Sequence, residues 1–342
     1  MKIVQKMSTD AKNDYPNITI LVAARNEEKN ILRCLQSLDE LNYPTQYLDI
    51  RIGDDQSTDQ TAAVIKDFIK NKPHFHYQFI AHKYPNLKGK ANVLAVLSQE
   101  VNSDFLFYCD ADIAVSSEWI NAMLTLFLPQ VGVVVGVTRM TSGSIFANFQ
   151  SLEWTLALAA MRLFSMVHIP FTGMGNNMAV RTQAYKAVGG YETIGFSIVE
   201  DFALFQAIIE ANHSFAQGFS PKLLSVSQPA QTLAELLRQR KRWVKGAMSA
   251  VWPIKLSFFV SALWLPLLVI GLILWPAVFL ALGVIHYLLV TISCFIAVRL
   301  LKQHDLLATI PLFWVYFNLN NTCMLINYLW PSPTVWKGRT YN

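Results

Sequence analysis

Five short stretches of this 342-residue chain combine residue types that do chemistry at fixed spacing. Asp54-Asp55-Gln56-Ser57-Thr58-Asp59 follows the apolar run Ile50-Arg51-Ile52-Gly53 and opens a helical pattern. Ser, Thr and Asp there satisfy the unpaired N–H groups of a helix start, and Asp59 is read as such a cap. Asp54 and Asp55 exceed what capping needs and suit hydrogen bonds to the base and ribose of a nucleoside. Asp110-Ala111-Asp112 follows Phe105-Leu106-Phe107-Tyr108-Cys109. Two carboxylates two residues apart repel each other unless a hard cation sits between them, and Mg²⁺ or Mn²⁺ takes one or two carboxylates together with substrate phosphates. A solvated loop carries the same letters, but the all-apolar run before it argues for a site.

The remaining three stretches are basic or mixed. Lys88-Gly89-Lys90-Ala91-Asn92 opens a helix, where free N–H groups and partial positive charge already favour anions, so the lysines either add to an anion site or are simply solvated. Ser197-Ile198-Val199-Glu200-Asp201 precedes the apolar Phe202-Ala203-Leu204-Phe205. Ser197 and Glu200 have capping-box spacing, which accounts for Glu200 and leaves Asp201 over. A carboxylate in a first helical turn is held ionised by the macrodipole, a suitable state for a general base. Gln239-Arg240-Lys241-Arg242-Trp243 ends a helix begun by a second capping box, Thr232 and Glu235. Residues 239, 242 and 243 share one helical face, fit to grip a diphosphate and stack on an acceptor. A basic segment beside a membrane would look the same, and Arg238, Arg240, Lys241 and Lys245 are expected to face anionic lipid.

Elements that position these groups follow from the hydrophobic pattern. Continuous β-rich runs at Ile18 to Ala23, Asp49 to Gly53, His76 to Ile80, Phe105 to Cys109 and Val131 to Thr138 alternate with helical patterns at about 28 to 38, 59 to 70, 90 to 100 and 118 to 127. This alternation predicts an α/β fold with a doubly wound, mostly parallel sheet, whose ligands bind at the carboxyl ends of the strands, where the motifs sit. Residues 145 to 168 read as a long, weakly charged helix that packs either on the sheet or on a bilayer.

Composition divides the chain. Through Lys245 there are 23 Lys and Arg and 22 Asp and Glu, whereas the last 97 residues hold five basic residues and one acid, Asp305. The expected units are a tail at 1–17, a soluble domain at 18–245 and a membrane region at 246–342. Ile254 to Leu301 has the length of two spans broken at Trp275-Pro276. The run Leu306 to Trp330 carries Asn318, Asn320, Asn321 and Asn327, costly in lipid unless they face protein or water, and is read as re-entrant or in-plane with a cytoplasmic tail. Trp243, Trp252, Trp264, Trp275 and Trp330 serve either as interfacial anchors or as core. The residues before Ile18 lack a signal-peptide core, so the first domain is expected in the cytoplasm. Near-neutral charge there excludes a nucleic-acid footprint, and scattered Cys34, Cys109, Cys294 and Cys323 exclude a zinc or CxxC site. No GxGxxG, GxSxG or Cys-His pairing appears.

The order of these signals resembles the family 2 inverting glycosyltransferases of GT-A fold, which include polysaccharide synthases and many lipid glycosyltransferases. Ala24-Arg25-Asn26-Glu27-Glu28 is similar to that family's opening loop, and Gly173-Met174-Gly175-Asn176-Asn177 with Val188-Gly189-Gly190-Tyr191 to its acceptor-side segment. The resemblance implies that Glu27, Asp54 and Asp55 hold the nucleoside, that Lys90 approaches the donor, and that Asp110 and Asp112 bind the metal on the diphosphate. It implies Glu200 and Asp201 as the catalytic pair with Asp201 as base, Gly175 and Asn176 on the acceptor side, and Gln239, Arg242 and Trp243 as a QxxRW motif on donor and acceptor. The implied reaction moves a hexose from a UDP-sugar to a membrane lipid hydroxyl. Val199 stands where processive synthases carry Thr, and the alternative is a polysaccharide synthase working as a homo-oligomer. A nucleotidyltransferase or a non-catalytic membrane-binding protein fits fewer of the motifs.

Overall fold

The computed structural model describes residues 15–331 apart from 172, 249 and 250, and the backbone of 334–336 and 339–341. The charged residues of the expected tail from Lys2 to Asp14, and Lys337 with Gly338 near the other end, lie outside the described residues. In chain order the first part runs β1 (Ile18–Ala24), α1 (Ile31–Asp39), β2 (Leu48–Asp54), α2 (Thr61–Ile69), β3 (Phe75–Phe79), α3 (Lys90–Leu97), β4 (Phe105–Asp110), α4 (Trp119–Leu124), β5 (Val131–Val135) and β6 (Val137–Met140). It continues through α5 (Ile145–Met166), β7 (Met178–Arg181), α6 (Thr182–Ala187), α7 (Gly190–Ile194), α8 (Glu200–Glu210), β8 (Ser214–Gln217), β9 (Leu224–Ser227) and α9 (Leu233–Ala247). The apolar part holds α10 (Trp252–Leu274), α11 (Pro276–Leu300) and α12 (Ile310–Leu329), followed by β10 (Thr334–Trp336) paired with β11 (Arg339–Tyr341).

Seven strands form one sheet in the order β3-β2-β1-β4-β7-β5-β8. All neighbours are parallel except β7, which runs antiparallel to both β4 and β5. The continuous hydrophobic runs of β1, β4 and β5 have the expected cause, because helices cover both faces of the sheet. Leu21, Leu106 and Val135 face a core shared with α3, α5 and α8, whereas Ile20, Val22, Phe107 and Val134 face one shared with α1 and α4.

One strand divides where a single run is expected. Val131 to Thr138 becomes β5 in the main sheet and β6 in a two-stranded sheet with β9. The cause is Asn177, whose buried amide donates to the carbonyls of Val137 and Leu223 at 2.8 and 2.9 Å and accepts from Trp119 Nε1 at 2.8 Å. It sits against Gly136, where a Cβ would lie 2.2 Å from Asn177 Oδ1. Part of the segment expected to face an acceptor thus braces the fold.

The long α5 packs on the sheet along part of its length and against the apolar helices along another part. Leu158 and Met161 join the sheet-side core, and Leu152 packs with Val290, Cys294 and Val298 of α11 and Phe313 of α12. Two helices, α10 and α11, are long and apolar enough to cross a membrane. The run after them forms one continuous helix, α12, and its asparagines face protein: Asn318 is 1% exposed, and Asn327 donates to the Leu237 carbonyl of α9 at 2.8 Å. Trp252, Trp275 and Trp330 are exposed at helix ends, as anchors would be, whereas Trp243 belongs to the site.

Candidate active site

Strand register sets the spacing of the acids. Ala24 of β1 lies opposite Asp54, and Ala23 opposite Asp110. Neighbouring strands are about 4.8 Å apart, so the acid ends of β2 and β4 stand about 10 Å apart across β1. A cavity of about 650 Å³ opens over them, walled by Glu27, Asp55, Lys90, Asp110, Asp112, Asn176, Glu200, Asp201, Gln239, Arg242 and Trp243. Eleven of the thirteen expected site residues therefore meet at one place.

Asp54 and Gly175 are the two that do not line it. Asp54 is 1% exposed, and both its oxygens are engaged, one accepting the Ser57 N–H at 2.9 Å and the other the Tyr77 hydroxyl at 3.0 Å. Its role is to shape the turn, and Asp55 alone of that pair reaches the cavity. Asp59 caps as expected, accepting the Thr61 N–H at 3.0 Å. Gly175 turns its N–H onto the Asp201 carboxylate, and a Cβ there would lie 2.9 Å from Asp201 Cβ and 3.1 Å from Lys90 Nζ. Gly175 thus supports the Asp201 carboxylate rather than lining the cavity.

At the β1–β2 end, Arg25 Nη1 donates to the Asp55 carbonyl at 2.7 Å and lies 3.7 Å from its carboxylate. Asn30 donates to Glu27 at 2.9 Å. In the middle, Lys90 Nζ sits 2.6 Å from Asp110 and 3.0 Å from Glu200. Burial works to lower the Lys90 pKa, but Asp110, Glu200 and Asp201 outweigh it and hold the ammonium charged. Arg33 donates to the backbone carbonyl of Asp112, and Ser227 to its carboxylate at 3.3 Å, so the DxD turn is fixed from α1 and β9.

Glu200 and Asp201 occupy the first turn of α8, but the expected capping box does not form. Ser197 accepts from the Val199 N–H instead, and the Glu200 carboxylate is drawn away to Lys90. Two adjacent buried acids then separate in strength. Burial pushes Glu200 up, yet Lys90 and Arg242 pull it below its ordinary value. Asp201 is raised to about 6 by burial and by the charge of Glu200, against the opposing pull of Lys90, the Gly175 N–H and Arg242. A carboxylate poised there is a better proton acceptor than an ordinary one.

On α9 the spacing holds, since Gln239, Arg242 and Trp243 all face the cavity. Arg240 corrects the expectation of a lipid-facing run. It is 1% exposed, donates to both Glu153 oxygens of α5 at 2.8 Å, and stacks 4.2 Å over the Trp243 ring. Tyr316 of α12 donates to the same carboxylate at 3.0 Å. Lys241 is also buried and donates to the Trp330 carbonyl at 2.7 Å. Trp154 of α5 closes the cluster, edge-on to Trp243 at 5.0 Å. Sequence reasoning misses Glu153, Trp154, Arg33 and Asn30; an acid and a Trp side by side in an otherwise apolar helix are the visible hint for the first two.

This sheet order, with paired carboxylates at its carboxyl edge, defines a GT-A-type domain joined to apolar helices. The fold is shared with the mannosyltransferase PcManGT from Pyrobaculum calidifontis, solved with GDP-Man and Mn²⁺, at TM-score 0.60 and 18% identity over 93% of this chain and 88% of that one. The profile of glycosyltransferase family 21 matches residues 1–342, and the chain belongs to that family. Curated relatives include the "Probable glycosyltransferase YdaM" of Bacillus subtilis (strain 168), 26% identical over 72% of this chain and 59% of the relative. The poly-beta-1,6-N-acetyl-D-glucosamine synthase of Staphylococcus epidermidis is 27% identical over 71% and 59%. The beta-monoglucosyldiacylglycerol synthase of Synechocystis sp. is 27% identical over 68% and 48%. The chain spans about half to three-fifths of the length of these relatives.

Proposed function

We propose that this protein is an inverting glycosyltransferase that moves a hexose from a nucleotide-sugar, a UDP-hexose, to a hydroxyl of a membrane lipid at the cytoplasmic face. The observation that carries the reading is Asp201, raised to about 6, in a cavity with a polar, acid-lined end and an apolar side. That side is made by Leu158 and Met161 of α5, Phe171, Phe202 of α8 and Ile254, in the first turn of α10. A donor headgroup and an apolar acceptor would each find matching chemistry.

The residues divide the work. Asp55 and Glu27 would hydrogen-bond the nucleoside, and Gln239 and Arg242 the diphosphate. Asp201 would take the proton of the acceptor hydroxyl as that oxygen attacks the anomeric carbon and the nucleoside diphosphate leaves toward Arg242. Trp243, held by Trp154 and Arg240, offers a flat face for the acceptor. Lys90 keeps Glu200 ionised beside Asp201.

A divalent cation fits the donor set. Among the described residues no three His, Cys, Asp or Glu side chains form a metal-holding group by themselves. The cavity wall nonetheless carries eight carboxylates against Arg25, Lys90, Arg238 and Arg242, and all its acid donors are hard oxygens. Asp112, with Asp110 beside it, would hold Mg²⁺ or Mn²⁺ together with donor phosphate oxygens. Such an ion supplies charge neutralisation on the leaving diphosphate.

The name of the Synechocystis relative supports a lipid acceptor. The name of the staphylococcal one favours polymer synthesis, for which two helices of spanning length are few to line a channel and Val199 replaces the expected Thr. The test is UDP release by the purified chain in native lipid extract from a panel of UDP-sugars, with and without chelator. Chelator-sensitive release that requires lipid supports the proposal; release that ignores lipid, or a growing saccharide product, contradicts it.

A further inference from the structure

Gln239, Arg242 and Trp243 of α9 line the cavity, whereas Arg240 between them is buried outside its wall. Each of the three guanidinium nitrogens of Arg240 is engaged. Nε and Nη2 donate to the two oxygens of Glu153 on α5, both at 2.8 Å, and Nη1 donates to Gln239 Oε1 at 2.6 Å. Its flat face lies 4.2 Å from the Trp243 ring centroid. Glu153 is held in turn by the Tyr316 hydroxyl of α12 at 3.0 Å, so the guanidinium is anchored on two other helices.

The bond to Gln239 has a direction. A guanidinium carries N–H donors and no acceptor, so it can take the amide only by its oxygen. The amide nitrogen, with two N–H groups, occupies the other branch of the side chain, and among the described residues it donates to no protein group. Reversing the amide would set its NH₂ against the N–H groups of Arg240 and leave the buried Nη1 without its acceptor, the costly arrangement for a polar group out of water.

We propose that Arg240 is a positioning residue: by gripping Oε1 it presents Gln239 to the cavity by its N–H groups, as a hydrogen-bond donor to the oxygens of a nucleoside diphosphate. Glu153 acts one step further back, fixing the guanidinium that fixes the amide. The same guanidinium sets the plane of Trp243, so one buried side chain orients two of the three cavity-facing groups of α9. This role rests on the placement of the diphosphate at Gln239 and Arg242 proposed above.

The test measures binding without turnover. UDP, which carries the diphosphate and no transferable sugar, is titrated calorimetrically with Mg²⁺ into the full chain in detergent micelles. Gln239→Met removes the donor and should weaken UDP by about 10–100-fold, the range for a hydrogen bond to a charged group. Glu153→Gln combined with Arg240→Met keeps an acceptor for Tyr316 and strands no charge, so this pair variant should melt near the parent. It should nonetheless lose UDP affinity by about the same factor, because the amide is no longer held. Adding Gln239→Met to the pair variant should then cost little more. A merely structural role for Arg240 predicts the opposite, with Gln239→Met keeping its full effect in that background. Such additivity, or unchanged UDP affinity in either Gln239→Met or the pair variant, overturns the proposal. Where the pair variant does not fold, Arg240→Lys takes its place, since an ammonium can stay beside Glu153 without the fork that also reaches Gln239, and the same loss and the same non-additivity are expected. A parent chain that binds neither UDP nor GDP overturns the reading of the cavity as a donor site and this role with it, a failure distinguished by the parent titration alone.

Discussion

Asp201, the proposed base, is raised to about 6 by burial and by the charge of Glu200. Replacing it by Asn removes the proton acceptor and should lower turnover by about 10²–10⁴-fold, read as UDP release, with donor binding retained. Because its folded-state pKa is raised, the ionised carboxylate costs the fold stability above its unfolded pKa, and the Asn variant should melt no lower than the parent. With Asp201 titrating near 6, activity should rise with pH through that value and level above it. Glu200→Gln removes the charge that helps raise Asp201, so the acid limb of that profile should move to lower pH. At this scale much of the site is legible in the sequence, including Asp201 itself. Asp54 is not, because successive residues of a strand point to opposite faces, and adjacency alone cannot say which of two acids enters the cleft.

At the scale of elements, α9 shows how one helix serves two surfaces. Its 239, 242 and 243 face follows from helical spacing and needs no structure to be seen. Arg240 lies off that face, and its partner Glu153 is 87 residues away, a pairing that no local pattern records. Glu153→Gln strands a buried guanidinium and should cost about 3–5 kcal/mol. The expected readouts are a lower unfolding midpoint and loss of UDP release through the displaced Trp243. The division of β5 from β6 is likewise hidden, since Val131 to Thr138 reads as one apolar run and the amide that separates it belongs to Asn177. Gly136→Ala forces a Cβ against that amide and should destabilise the domain by about 1–3 kcal/mol, measured by thermal unfolding. The antiparallel β7 escapes the βα rhythm for a related reason: its four residues enter the sheet from the long α5 rather than from a short crossover.

Across the whole molecule, the α/β domain and the apolar helices are joined by more than the chain. Arg139 of β6 pairs with Asp305 between α11 and α12, and Ser142 donates to the same carboxylate. Arg139, opposed by partial burial and helped by Ser142, holds Asp305 down to about 2, so this tie stays charged at any ordinary pH. With Arg240, Glu153 and Tyr316 it fixes the cavity relative to α12. Composition alone shows that charge becomes sparse after Lys245. It does not reveal that α5, well before that point, packs on both the sheet and the apolar helices.

The account is tested most directly by the product itself. The full chain in lipid vesicles, given the UDP-hexose it turns over and its native lipid extract, should form a glycolipid whose new linkage has the anomeric configuration opposite to the donor's. Chelator should abolish it, as should Asp201→Asn. A product that retains the donor's configuration, or one formed equally well by the Asp201→Asn chain, would contradict the assignment of Asp201 as the base.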